Sequence, residues 1–127
     1  MASDYLGPLE RRVMQQLWEH GAQTVGDILE RLNGASQRKL AYTTVMTILV
    51  RLREKGYASR VQTGRTYTYR AAMDEPMLVA TVGRRELGRL VDRYGAASLA
   101  RFAEDLGKSG SPLAVRLRQV AEEEEPQ

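Results

Sequence analysis

Ala41-Tyr42-Thr43-Thr44-Val45-Met46-Thr47-Ile48-Leu49-Val50-Arg51-Leu52-Arg53-Glu54-Lys55-Gly56 is the stretch on which the fold turns. Val45, Ile48, Leu49 and Leu52 recur at i, i+3, i+4 and i+7, the spacing of one buried stripe on an α-helix. Lys55 sets a cation against the negative end of the helix dipole, and Gly56 ends the helix. The opposite face holds Thr43, Thr47, Val50 and Glu54, flanked by Thr44, Met46 and Arg51. One reading is an ordinary helix with threonines turned to water. Threonine is a mediocre helix former, however, so a helix that faces only solvent has no reason to collect Thr43, Thr44 and Thr47. Their short hydroxyls and methyls suit base edges in a DNA major groove, and Arg51 has the reach for phosphate or guanine.

Two helices precede this one. Leu9, Val13 and Leu17, with Met14 and Trp18 beside them, form a broad apolar stripe over Pro8 to His20. Pro8 fits the first turn, where its missing N–H is not needed, and Gly21 ends the helix. Thr24 and Asp27 have the spacing of a capping box, with Asp in the place usual for Glu. The helix they open runs from Val25 to Leu32, with Val25, Ile28, Leu29 and Leu32 on one side, and Asn33-Gly34 terminates it. Residues 35–39 read as a polar loop.

After Gly56 the period changes to two. Tyr57 to Thr63 and Thr66 to Ala71 are rich in Val, Thr and Tyr, and Gly64-Arg65 between them suits a tight hairpin turn. Tyr67 and Tyr69 share one face; Thr66, Thr68 and Arg70 share the other. The order helix, helix, helix, hairpin is that of a helix-turn-helix with a wing, the third helix being the one offered to the groove. Arg60, Arg65 and Arg70 surround the hairpin turn. They suit a wing lying over phosphates or a minor groove, and equally a hairpin edge charged against strand addition.

Charge is placed in keeping with this. The chain has 127 residues and net charge +3. Residues 1–73 carry +5 and residues 74–127 carry −2. Between 38 and 70, Arg38, Lys39, Arg51, Arg53, Lys55, Arg60, Arg65 and Arg70 are opposed only by Glu54, a footprint suited to a polyanion.

Beyond the hairpin, Asp74 is placed to cap a long helix starting near Pro76 and holding Met77, Leu78, Val82, Leu87, Leu90, Val91 and Tyr94. Gly95 breaks it. A fifth helix, about Ser98 to Leu106, carries Leu99, Phe102 and Leu106. After a loop over residues 107–110, Ser111-Pro112 opens a last helix with Leu113, Leu117 and Val120. Glu122 to Glu125 reads as a frayed acidic tail. These three striped helices are few and short for a core of their own, so Leu78, Val82, Leu87, Leu90, Val91, Leu99, Phe102, Leu106, Leu113, Leu117 and Val120 are expected at a homodimer interface.

Other chemistry finds little support. There is no cysteine and a single histidine, which removes disulfides, thiolate metal sites and His clusters. Asp4, Glu10, Glu19, Asp27 and Glu30 lack the spacing of paired acid–base groups, and no phosphate loop or nucleophile elbow occurs. No metal, cofactor or enzymatic activity is therefore expected. No apolar run approaches the roughly 18 residues of a membrane span, and residues 1–7 lack a signal pattern, so membrane insertion is not expected and a cytoplasmic location is. The rival from another class is a winged-helix module that binds protein without DNA. It calls for an apolar or acidic patch on the third helix.

Three stretches, Leu9-Glu10-x-x-Val13-Met14-x-x-Leu17-Trp18, Ala41 to Gly56 as quoted above, and Gly64-Arg65-x-Tyr67-x-Tyr69, together resemble the BlaI/MecI/CopY or penicillinase-repressor family of bacterial transcriptional repressors. The resemblance covers residues 9–71; residues 76–121 share only the helix pattern. It implies a winged-helix domain joined to a helical dimerisation domain, binding of palindromic operators with TACA/TGTA-like half-sites, and repression of resistance or stress genes. In the β-lactamase branch a membrane sensor protease triggers a cut before a phenylalanine, in a segment matching Leu99-Ala100-Arg101-Phe102. Arg101 stands here where asparagine is usual in the staphylococcal members. The cysteines by which the copper branch binds metal are missing.

The expectation is therefore a mainly α chain with one small antiparallel hairpin. Residues 1–73 form the winged helix-turn-helix domain and residues 74–127 the dimerisation domain with its acidic tail. Double-stranded operator DNA meets Lys39, Tyr42, Thr43, Thr44, Met46, Thr47, Arg51, Arg60 and Arg65, and Arg101 and Phe102 flank a candidate cleavage point.

Overall fold

A computed structural model describes residues 6–34, 37–108 and 110–124. Met1 to Tyr5, Ala35, Ser36, Ser109 and the last three positions lie outside the described residues, and with them parts of the expected 35–39 and 107–110 loops and the end of the acidic tail. The elements run α1 (Pro8–His20), α2 (Val25–Gly34), α3 (Tyr42–Glu54), β1 (Ala58–Thr63), β2 (Thr66–Ala71), α4 (Glu75–Tyr94), α5 (Ala96–Gly107) and α6 (Pro112–Glu124). This is the expected class, mainly α with one antiparallel hairpin. The chain divides into two compact units, residues 1–83 and 84–127.

The first unit is built around α3. Val45, Ile48, Leu49 and Leu52 are buried with Val13, Met14 and Leu17 of α1, and with Val25, Ile28 and Leu32 of α2. Tyr57 and Tyr69 close the core from the hairpin side. Burying each such side chain contributes about 1.5–3 kcal/mol, so the stripe holds α3 in one rotation about its axis. The Thr24–Asp27 capping box forms as expected, with Asp27 N–H donating to Thr24 Oγ1 at 3.1 Å and Thr24 N–H to Asp27 Oδ2 at 3.2 Å. α3 ends in a reciprocal pair of backbone bonds: Tyr57 N–H donates to the Leu52 carbonyl at 2.9 Å and Gly56 N–H to the Arg53 carbonyl at 3.0 Å. That closure needs the left-handed φ of +84° at Gly56, which glycine adopts without steric cost.

The hairpin pairs Ala58 with Ala71 through Thr63 with Thr66. A third segment joins it that the sequence pattern does not reveal. Gln23 makes an isolated antiparallel bridge to Tyr69, exchanging N–H to O=C bonds of 2.9 and 2.7 Å. The hairpin is thereby tied to the α1–α2 corner.

Two expectations need correction. The boundary falls at residue 83/84, not 73/74, because the start of α4 belongs to the first unit. Leu78, expected at a dimer interface, is only 2% exposed within the first core, and Met73 and Val82 pack against that core. Trp18 Nε1 donates to the Met73 carbonyl at 2.9 Å and fixes this return. Asp74 does cap α4, accepting from Met77 N–H at 2.9 Å.

In the second unit, α5 begins at Ala96, earlier than expected, because Gly95 takes φ +89° and breaks the chain in a single residue. α6 continues through Glu124, so Glu122 and Glu123 are helical where a frayed tail was expected. Ser111 Oγ accepts from Ala114 N–H at 3.5 Å, a long bond at the expected cap.

Leu78→Ala is expected to destabilise the full chain by about 2–4 kcal/mol, as for other buried leucines, measured by urea denaturation. A loss below ~0.5 kcal/mol, the range of ordinary surface changes, would return Leu78 to the second unit.

Candidate nucleic-acid interface

Once the apolar stripe of α3 is buried, helical geometry leaves Tyr42, Thr43, Thr44, Met46, Thr47 and Arg51 exposed on the other side. Val50, read from sequence as outward-facing, is half-buried. The hydroxyls on this face are not equivalent. Thr47 Oγ1 donates to the Thr43 carbonyl one turn back, at 2.8 Å. Its one hydroxyl hydrogen is therefore used inside the helix, and outward it presents a methyl group and oxygen lone pairs. The Arg51 side chain makes no hydrogen bond or ion pair among the described residues.

The first turn of α1 borders this face, which sequence spacing could not show. Gly7, Pro8, Leu9 and Glu10 line a shallow groove of about 460 Å³ together with Thr43, Thr44, Thr47, Ile48 and Arg51. Glu10 accepts from Lys55 Nζ at 2.8 Å, and from Gly7 N–H at 3.4 Å. Both side chains of the ion pair are largely buried, so Lys55 does more than face the dipole of its own helix. It joins the end of α3 to the start of α1.

Lys39, expected to meet DNA, lies at the other end of α3 with its ammonium 2.6 Å from the Asn33 carbonyl. It remains exposed. On the wing the three arginines differ. Arg65 sits at the exposed hairpin tip, and its side chain makes no hydrogen bond or ion pair among the described residues. Arg70 donates to Ser59 Oγ at 3.3 Å. Arg60 is half-buried, its guanidinium carbon 3.9 Å from the centre of the Tyr67 ring. Arg60 Nη1 also donates to the Tyr69 hydroxyl at 3.3 Å. That bond is the main cause holding its pKa above the ordinary value. Arg60 and Tyr67 are diagonal neighbours across the strands, the position from which long side chains reach aromatic rings. Arg60 is thus held among the wing tyrosines, while Arg65 is the wing cation left exposed at the tip.

The chain matches the penicillinase repressor family over residues 6–123. It belongs to the penicillinase repressor family. A transcriptional regulator named BlaI, from Mycobacterium tuberculosis, is 38% identical over 104 residues, covering 80% of this chain and 74% of the relative. The penicillinase repressor of Bacillus licheniformis is 25% identical over 114 residues, covering 90% and 87%. Among solved structures, the DNA-binding domain of the repressor BlaI superposes with a TM-score of 0.50 at 26% identity, over 57% of this chain and 87% of that domain. The superposed part of this chain therefore shares its fold with a domain whose role is DNA binding.

Arg60→Ala is expected to lower the thermal midpoint of the chain and Arg65→Ala to leave it unchanged, read by circular dichroism. Equal midpoints for both variants would show that the stacking and hydrogen bond of Arg60 do not hold the wing.

Proposed function

We propose that this protein is a transcriptional repressor that binds palindromic operator DNA as a homodimer. The observation that carries the proposal is the division of α3. One side is locked into the core, and the other offers Tyr42, Thr43, Thr44, Met46, Thr47 and Arg51 to solvent, as a recognition helix would in a major groove. Lys39, just before α3, and Arg65, at the exposed hairpin tip, would serve as phosphate contacts. Phosphate contacts would supply most of the affinity and set the register, while the α3 face supplies sequence choice. Family membership and the named regulators among the relatives support the same reading.

Homodimer formation has its own support. Leu87, Leu90, Phe102, Leu113 and Leu117 are 42–64% exposed in the single chain, and Val91, Leu99, Leu106 and Val120 are half-buried. α5 contains no buried residue. Such a unit has too little core to stand alone, and a second copy of the same surface covers it in a closed, symmetric way. The dimer would place two copies of α3 about 34 Å apart, one helical turn of DNA, and bind by mutual effective concentration. RNA polymerase would then be excluded from an overlapping promoter, in the cytoplasm, at resistance or stress genes. Among the described residues no helix is long and apolar enough to cross a membrane. A sensor protease cutting between Arg101 and Phe102, both exposed in the single chain, would divide α5 and with it the dimer surface.

The test is a titration of the protein's own promoter and of random duplex at several salt concentrations. Affinity for both is expected to fall steeply with salt, and Arg65→Ala to flatten that slope by about 1. Because the Thr47 hydrogen is used within the helix, Thr47→Val is expected to keep the preference for the promoter, and Thr47→Ser, which lacks the methyl, to lose about 1 kcal/mol of it. Salt-independent binding, or none, contradicts the repressor reading. Loss in Thr47→Val with retention in Thr47→Ser contradicts the methyl role.

A further inference from the structure

We infer that Asn33, which lies off the reading face, is a positioning residue that sets the sequence specificity of α3; the inference rests on the DNA-binding reading above. α3 starts without a side-chain cap. Its N-cap position is Ala41, and only the Ala41 carbonyl contributes, accepting from Thr44 N–H at 3.1 Å and Val45 N–H at 3.3 Å. The first turn, which carries Tyr42, Thr43 and Thr44, therefore lacks the fixing bond that Ser, Thr, Asp or Asn normally gives.

A different tie, to the residue just before the N-cap, comes from the end of α2. Asn33 Nδ2 donates to the Leu40 carbonyl at 3.1 Å, and Leu40 N–H donates to Asn33 Oδ1 at 2.7 Å. The side-chain amide behaves as a peptide group would in a β-bridge, using a donor and an acceptor on the residue just before the N-cap. Leu40 packs against the core of the first unit, so the pair is partly shielded from water. Lys39 Nζ donates to the Asn33 carbonyl at 2.6 Å, which adds a third bond between the same two segments and occupies a carbonyl at the end of α2. The last turn of α2 and the start of α3 are thus joined across the turn at one residue.

This arrangement governs direction more than attachment. The stripe of Val45, Ile48, Leu49 and Leu52 fixes how α3 is rotated, but it engages the helix from its second turn onward. Without Asn33 the first turn is free to fray or tilt, and base contacts depend on placement of a few tenths of an ångström within hydrogen-bond limits. Non-specific binding, which depends on the count of cations near phosphates, is insensitive to such a tilt. Asparagine is the residue type that both donates and accepts at this length; aspartate keeps only the acceptor.

The experiment compares the full chain with Asn33→Ala and Asn33→Asp, measuring affinity for the chain's own promoter and for random duplex over a range of salt. Asn33→Ala is expected to lower the promoter preference about tenfold, the loss of one good base contact, with random-duplex affinity and salt slope unchanged. Asn33→Asp is expected to lose part of the preference. A preference retained in both variants overturns the inference, and so does a slope flattened by about 1, which would make Asn33 a phosphate contact. If Asn33→Ala does not fold, the Asn33→Asp titration and the amide exchange of Leu40 in the unaltered chain decide, unprotected exchange counting against the clamp. If the unaltered chain shows no promoter preference, the repressor reading itself has failed, an outcome visible before any variant is compared.

Discussion

Packing of the α3 stripe against α1 and α2 is the constraint on which everything else depends. A helix has one face to bury, and Val45, Ile48, Leu49 and Leu52 commit that face to the core. The remaining positions are then fixed relative to the rest of the unit, so the threonines, Met46 and Arg51 are presented in one order and one direction. The wing, the Gln23 bridge and the Glu10–Lys55 pair each attach a further part of the unit to the same three-helix core. None of them would hold its geometry if α3 could rotate.

Interactions within the site divide into two kinds. Arg60, Lys55 and Asn33 carry polar groups that are used inside the protein, in stacking, ion pairing and an amide clamp. Arg51 and Arg65 carry groups that remain turned to solvent. The first kind spends its bonding on the orientation of α3 and the wing, and the second kind is what a nucleic acid would meet. Arg60, which charge puts with the DNA contacts, also has its guanidinium held against Tyr67 and Tyr69.

Much of this was legible in the sequence because it is written in local periodicity. The α1 and α3 stripes, the Thr24–Asp27 box, the Gly56 stop and the turn at Gly64-Arg65 each lie within a few residues, where hydrophobic period and capping chemistry are direct signals. The exposed row on α3 follows from its buried row by geometry. What escaped is non-local. The bridge from Gln23 to Tyr69 crosses more than forty positions of the chain and leaves no periodic trace. Leu78 has the same pattern as its helical neighbours, yet belongs to the other unit's core, since a hydrophobic stripe does not say which partner covers it. Asn33 read as a helix terminator; only the distances to Leu40 reveal that its side chain closes the turn. Gly95 shows the converse, a local signal whose full consequence, the early start of α5, needed the backbone angle.

The exposed row of α3, doubled by the proposed dimer, would select particular DNA sequences. Genome-wide mapping of the sites occupied by the purified protein decides this. A small set of sharp sites is expected, sharing a twofold-symmetric motif with half-sites one helical turn, about 10 base pairs, apart. Broad occupancy with no shared motif, or a motif without twofold symmetry, would contradict it.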